Sequence, residues 1–202
     1  MQPTQLTVNY IFDRAEKYHR DKTVTTATAT GLERVTYGEW ADRTRRIASA
    51  LDTLGISATG RVATFAWNTS RHLELYFAAP CSGRVLHTLN IRLFPEQLTY
   101  IVNHAEDEVI FCDTSLWALL EPLVPTFTTV RHLVFMNDGK GSAPASVPGI
   151  AVHDYEELVS SSSPAQWPAI DDENRAASMC YTSGTTGNPK GVVYSHRSTY
   201  LH

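Results

Sequence analysis

Tyr181-Thr182-Ser183-Gly184-Thr185-Thr186-Gly187-Asn188-Pro189-Lys190-Gly191 holds three glycines, four serine or threonine hydroxyls and one lysine in eleven residues. The apolar run Ala176–Tyr181 precedes it and the β-branched pair Val192, Val193 follows. Glycine lets a backbone turn tightly and bring its N–H groups against a ligand. The hydroxyls add short donors and Lys190 a mobile positive charge. A strand–turn–strand of this composition makes a concave nest for an anion, most often a polyphosphate.

Spacing excludes the commoner anion loops. A Walker A loop needs lysine directly after its last glycine and a hydroxyl directly after the lysine. Here Asn188 and Pro189 separate Gly187 from Lys190, and Gly191 takes the hydroxyl's place. There is no G-x-G-x-x-G dinucleotide fingerprint. A nucleophile elbow also fails, because Tyr181 stands where G-x-S-x-G requires glycine two residues before Ser183.

The stretch, continued by Val192-Val-Tyr-Ser-His-Arg197, resembles the phosphate-loop signature of the adenylate-forming superfamily of acyl-CoA synthetases, luciferases and adenylation domains. A second block, Gly83-Arg-Val-Leu-His-Thr-Leu-Asn-Ile-Arg-Leu-Phe-Pro-Glu-Gln-Leu-Thr-Tyr-Ile-Val-Asn-His-Ala-Glu-Asp107, is similar to medium- and long-chain fatty-acyl-CoA synthetases. Weaker similarity covers nearly the whole chain. The resemblance implies an α/β fold: residues 1–202 as the N-terminal part of a large domain, with a mostly parallel sheet and helices on both faces. It implies ATP, magnesium and coenzyme A as reaction partners and a fatty or similar aliphatic acid as substrate. An aryl-CoA ligase, an adenylation domain and a non-catalytic nucleotide-binding or dimerisation remnant are the alternatives. A homodimer is a further family expectation.

In this reading Thr182, Ser183, Thr185 and Thr186 offer hydroxyls to the ATP phosphates. Gly184 and Gly187 let backbone N–H groups approach, and Lys190 balances charge on departing pyrophosphate. The resemblance also puts Thr182 near the magnesium ion. The family's later motifs, an aromatic-Gly-x-Thr-Glu segment, a ribose-binding aspartate and a C-terminal-domain lysine, do not occur before His202. The expectation is an N-terminal portion that does not turn over alone.

Composition agrees with a globular domain: 202 residues, 43% hydrophobic and 19% charged, give material for a core. A net charge of −4 without a basic block argues against nucleic acid or an anionic membrane as partner. Cys81, Cys112 and Cys180 form no C-x-x-C and no zinc spacing, and read as buried reduced thiols of a cytoplasmic protein. No signal-peptide layout and no apolar run of membrane-spanning length is present.

Outward from the loop, the pattern alternates. Tyr10–His19 reads as a helix and Lys22–Thr30 as a strand. Thr36-x-x-Glu39 is a capping box that starts a helix at Tyr37, with Trp40, Thr44, Ile47, Ala48, Leu51 and Leu54 inward and Gly55 as its stop. Strands follow at Arg61–Ala66, Val85–Thr88, Val109–Cys112 and His132–Met136. Helices are expected at Ser70–Gly83 (burying Leu73, Phe77 and Ala78), from Pro95 to His104, and at Leu116–Val124. Such alternation predicts a parallel, doubly wound sheet on its own. Residues 137–149 read as a surface loop, Asp154–Leu158 as a short helix, and Asp171-Asp172-Glu173 as a solvated turn before a strand at Ala176. His87 and His104 read as hydrogen-bonded structural histidines. His196, at the expected start of a helix, is the one histidine whose ring has a route to the cleft.

Overall fold

The structure, a computed structural model, describes residues 4–28, 31–182 and 187–202. A short antiparallel hairpin, β1 (Thr23–Thr28) and β2 (Gly31–Thr36), stands apart from the main sheet. That sheet has seven strands: β3 (Arg61–Phe65), β4 (Val85–Thr88), β5 (Asp107–Asp113), β6 (His132–Met136), β7 (Ala151–Asp154), β8 (Ala176–Thr182) and β9 (Lys190–Ser195). Their order is β7-β6-β5-β3-β4-β8-β9, parallel throughout except for the β8–β9 pair.

The central strands are apolar on both sides, as expected of a parallel sheet covered on both faces. In β5, Val109 and Phe111 face one layer while Ile110 and Cys112 face the other. In β6, Leu133 and Phe135 alternate with Val134 and Met136 in the same way. The first layer is built from α2 (Tyr37–Thr53), α3 (Ser70–Cys81) and α6 (Tyr155–Ser161). The opposite layer carries α4 (Pro95–Ala105) and the region of α5 (Trp117–Leu120). A third cluster joins α1 (Val8–Tyr18) through Phe12 to Trp40, Cys81 and Ala177.

The capping box forms as the spacing predicts. The Glu39 N–H donates to Thr36 Oγ1 at 3.1 Å, and the Thr36 N–H donates to Glu39 Oε2 at 2.8 Å. Gly55 adopts φ 69° after the helix, a left-handed conformation that glycine reaches at little cost. The helix expected over Leu116–Val124 is broken instead. It runs as 3₁₀ turns at Thr114–Leu116 and Glu121–Thr126 around the four residues of α5, because Pro122 and Pro125 remove amide donors. Along α3 the buried apolar face is Leu75, Ala78 and Ala79; Leu73 and Phe77 are only partly buried, against the third cluster. The loop 137–149 is followed by β7, a strand absent from the sequence reading. Among the described residues no helix is long and apolar enough to cross a membrane.

Candidate functional site

β8 runs parallel to β4, so it delivers its last residue, Thr182, to the carboxyl edge of the sheet. In open α/β sheets ligands bind outside that edge. The chain returns as antiparallel β9, with Lys190 directly across from Thr182 and Gly191 across from Tyr181. The hairpin therefore brings the hydroxyl at the start of the glycine-rich loop and the lysine at its end onto one rung. Both are exposed, and among the described residues no carboxylate pairs with Lys190. Gly187 has φ 92°, and the neighbouring Pro189 is buried. Ser183, Gly184, Thr185 and Thr186 lie outside the described residues.

The rung below is fixed by Tyr181. Its ring lies over Gly191, where an added Cβ would come 3.3 Å from Tyr181 Cζ. Its hydroxyl is hydrogen-bonded to His104 Nδ1 at 2.6 Å, tying the base of the loop to the last turn of α4. Burial first, then the Asp107 charge, pushes the Tyr181 phenol up to about 12. Behind the ring, 5.3 Å between centroids, sits His87, whose Nδ1 is 2.9 Å from both oxygens of Asp107. His87 and Asp107 are fully buried. Burial pushes the Asp107 carboxyl up, and the His87 hydrogen bond pulls it back. Both His87 and His104 are thus hydrogen-bonded supports, as the sequence suggested. Asp107 was missed: it stands 20 positions from His87, and only the β3–β4 and β3–β5 pairings bring the two together.

His196 does not reach this edge. Ser195 caps α7 (His196–Leu201), and the first turn directs the ring inward, where Nδ1 accepts the Val8 N–H at 3.3 Å. The ring is 0% exposed, and burial followed by the Arg175 charge holds its pKa down. Asp172 accepts the Asn174 N–H, and Glu173 accepts the Leu6 N–H and pairs with Arg197, so this acidic turn is spent on structure. Cys81 and Cys112 are buried, with burial raising both thiols; Cys180 is partly exposed. Among the described residues no three metal-ligating side chains converge.

An open crevice of about 440 Å³ lies at the same carboxyl edge, farther along the sheet, with Trp67, Ser115, Asp138 and Lys140 among its lining. No local motif marks it, because it is assembled from the ends of β3, β5 and β6 and from the β1–β2 hairpin.

A 3-methylmercaptopropionyl-CoA ligase of Ruegeria pomeroyi is 46% identical over 198 residues, covering 98% of this chain and 36% of the relative. A medium-chain-fatty-acid–CoA ligase of Ectopseudomonas oleovorans is 42% identical over 206 residues, covering 100% of this chain and 37% of the relative. The chain thus spans little more than a third of the length of the curated relatives it matches. Among solved structures, the anthranilate CoA ligase AuaEII superposes with TM-score 0.82 at 20% identity, over 96% of this chain and 35% of that one; at this identity the likeness concerns the fold. The profile of the AMP-binding enzyme family matches residues 11–201, and the chain belongs to that family.

Proposed function

We propose that this chain supplies the ATP-phosphate grip of an acyl-CoA ligase that activates an aliphatic carboxylic acid as its acyl-adenylate and passes the acyl group to coenzyme A. The observation that carries the reading is the β8–β9 rung, with exposed Thr182 and exposed Lys190 on either side of the glycine-rich turn. Acid activation joins two anions: a carboxylate oxygen attacks the α-phosphorus while pyrophosphate leaves. The site must neutralise the polyphosphate and hold it in line. Lys190 stands where a flexible ammonium can follow the departing charge. Residues 182–187 add hydroxyl and backbone donors in this reading.

The donor chemistry fits ATP with its magnesium ion. Magnesium takes oxygen ligands and keeps several waters, and the Thr182 hydroxyl is an exposed oxygen beside the turn. Bound there, the ion would neutralise phosphate charge; Thr182 would hold its water shell and Lys190 the far phosphates. The aliphatic substrate class rests on the relatives, whose names specify methylmercaptopropionyl and medium-chain fatty acyl groups.

The test grafts this chain in place of the matching segment of the Ectopseudomonas oleovorans ligase and follows acid-dependent ATP–pyrophosphate exchange. The reading expects exchange with straight-chain acids in preference to benzoate. It also expects Lys190→Ala to slow adenylate formation about 10²-fold or more while acid binding changes little. Equal losses in both would remove Lys190 from its role, and exchange with benzoate alone would overturn the substrate class.

A further inference from the structure

At the far end of the sheet, β6 and β7 run parallel with His132 beside Ala151 and Val134 beside His153. Residues opposite one another share a face, as do residues two apart in one strand. Both imidazoles therefore lie on the same side. Nδ1 of His132 stands 3.1 Å from Nε2 of His153, with ring centroids 5.3 Å apart and planes inclined by 37°. Both rings are half-buried. The Leu54 backbone also lies beside the His132 ring.

We propose that His132 and His153 form a two-imidazole site for a divalent transition cation of the zinc or nickel class, completed by water, which staples edge strand β7 to β6.

Two metal–nitrogen bonds of about 2.0–2.1 Å at the tetrahedral angle hold their nitrogens roughly 3.3 Å apart. The observed separation is within a few tenths of an ångström of this, so ring rotation alone converts the contact into a chelate. Rotation about the terminal bond of histidine is soft. Metal-bound histidines almost always donate their second ring N–H to a carbonyl or carboxylate, and the Leu54 backbone lies beside His132. Imidazole suits zinc, nickel and copper, whereas magnesium and calcium want oxygen. The nearby carboxylates are engaged: Glu108 pairs with Arg131, and Asp154 accepts the Glu157 N–H at 2.9 Å. Water fills the remaining positions, from an open groove of about 330 Å³ that His153 borders. The two histidines are 21 positions apart, so no metal-site spacing marks them in the sequence. The pair is made by strand register.

The full 202-residue chain is titrated with zinc chloride alone in a non-coordinating buffer, following thermal unfolding and the imidazole ¹H–¹⁵N NMR signals. At zinc a hundredfold above Kd, Tm should rise by about 5–10 °C, and EDTA should reverse the rise. The His132 and His153 resonances should move before those of the other histidines. His132→Gln or His153→Gln should abolish the shift, while His19→Gln, on an exposed residue outside the site, should leave it intact. Magnesium should give no shift. If neither Tm nor these resonances respond to zinc, or if the response survives in His153→Gln, the pair is a plain N–H···N hydrogen bond and the proposal is wrong. The NMR arm decides the matter in the unsubstituted chain should a variant fold poorly.

Discussion

Asp113 ends β5 and is 1% exposed, and its Oδ2 accepts the Trp67 N–H at 2.6 Å. Burial outweighs that hydrogen bond and raises the carboxyl to about 6. An acid whose folded pKa lies above its unfolded value stabilises the fold below the unfolded value. That stability is lost as pH rises through the folded one. For Asp113 the window runs from about 4 to about 6, and the ionised form at pH 7 costs up to about 3 kcal/mol. Asp113→Asn keeps an acceptor for Trp67 and removes the charge. Urea unfolding should show it more stable than the parent at pH 7 by about 1–3 kcal/mol and near-equal at pH 4. A loss at both pH values would mean the carboxylate is favourably held. The same reasoning applies to Tyr181, whose titration should appear near pH 12 in its ultraviolet difference spectrum and vanish in Tyr181→Phe. Losing the His104 hydrogen bond should cost that variant about 1 kcal/mol. Neither shift was visible in the sequence, because both come from burial by segments distant along the chain.

Individual elements were legible where local chemistry decides them. Thr36-x-x-Glu39 started α2 at Tyr37 as read, and Thr36→Ala should cost about 1 kcal/mol in thermal or urea unfolding. The alternating apolar strands were legible because both faces of the sheet are covered. The helix over Leu116–Val124 was misjudged where apolar spacing outweighed two prolines. β7 was invisible for a different reason: its four residues are exposed or half-buried, so no hydrophobic period marks them. Its place is set by pairing to β6. The clasp between α2, α3 and α6 is likewise tertiary. Glu74 is 0% exposed, takes Arg43 Nε at 2.8 Å and accepts the Tyr155 hydroxyl at 2.6 Å. Glu74→Ala would leave that hydroxyl buried without an acceptor. Breaking such a network from one side costs about 3–5 kcal/mol, so this variant should unfold at clearly lower urea than Thr36→Ala. A smaller loss than that of Thr36→Ala would count against the clasp.

At the scale of the molecule, the glycine-rich hairpin and the covered parallel sheet belong to one design. The sheet carries β8 to its carboxyl edge, and β9 folds back so that Thr182 and Lys190 share a rung. The loop's order of residues was legible in the sequence; the support beneath it, Tyr181 with His104, His87 and Asp107, was not. β9 also ends the sheet with Val192, Val193 and Tyr194 exposed, an apolar edge open to self-association. Sedimentation of the 202-residue chain should show concentration-dependent association that Val193→Lys reduces. In the proposed function the turn between Thr182 and Lys190 holds the polyphosphate of ATP. Calorimetric titration of the chain with ATP and magnesium tests it most directly. A saturable isotherm that weakens tenfold or more in Lys190→Ala, with Tm unchanged, is the result expected; matching isotherms for the two proteins, or no heat from either, would contradict it.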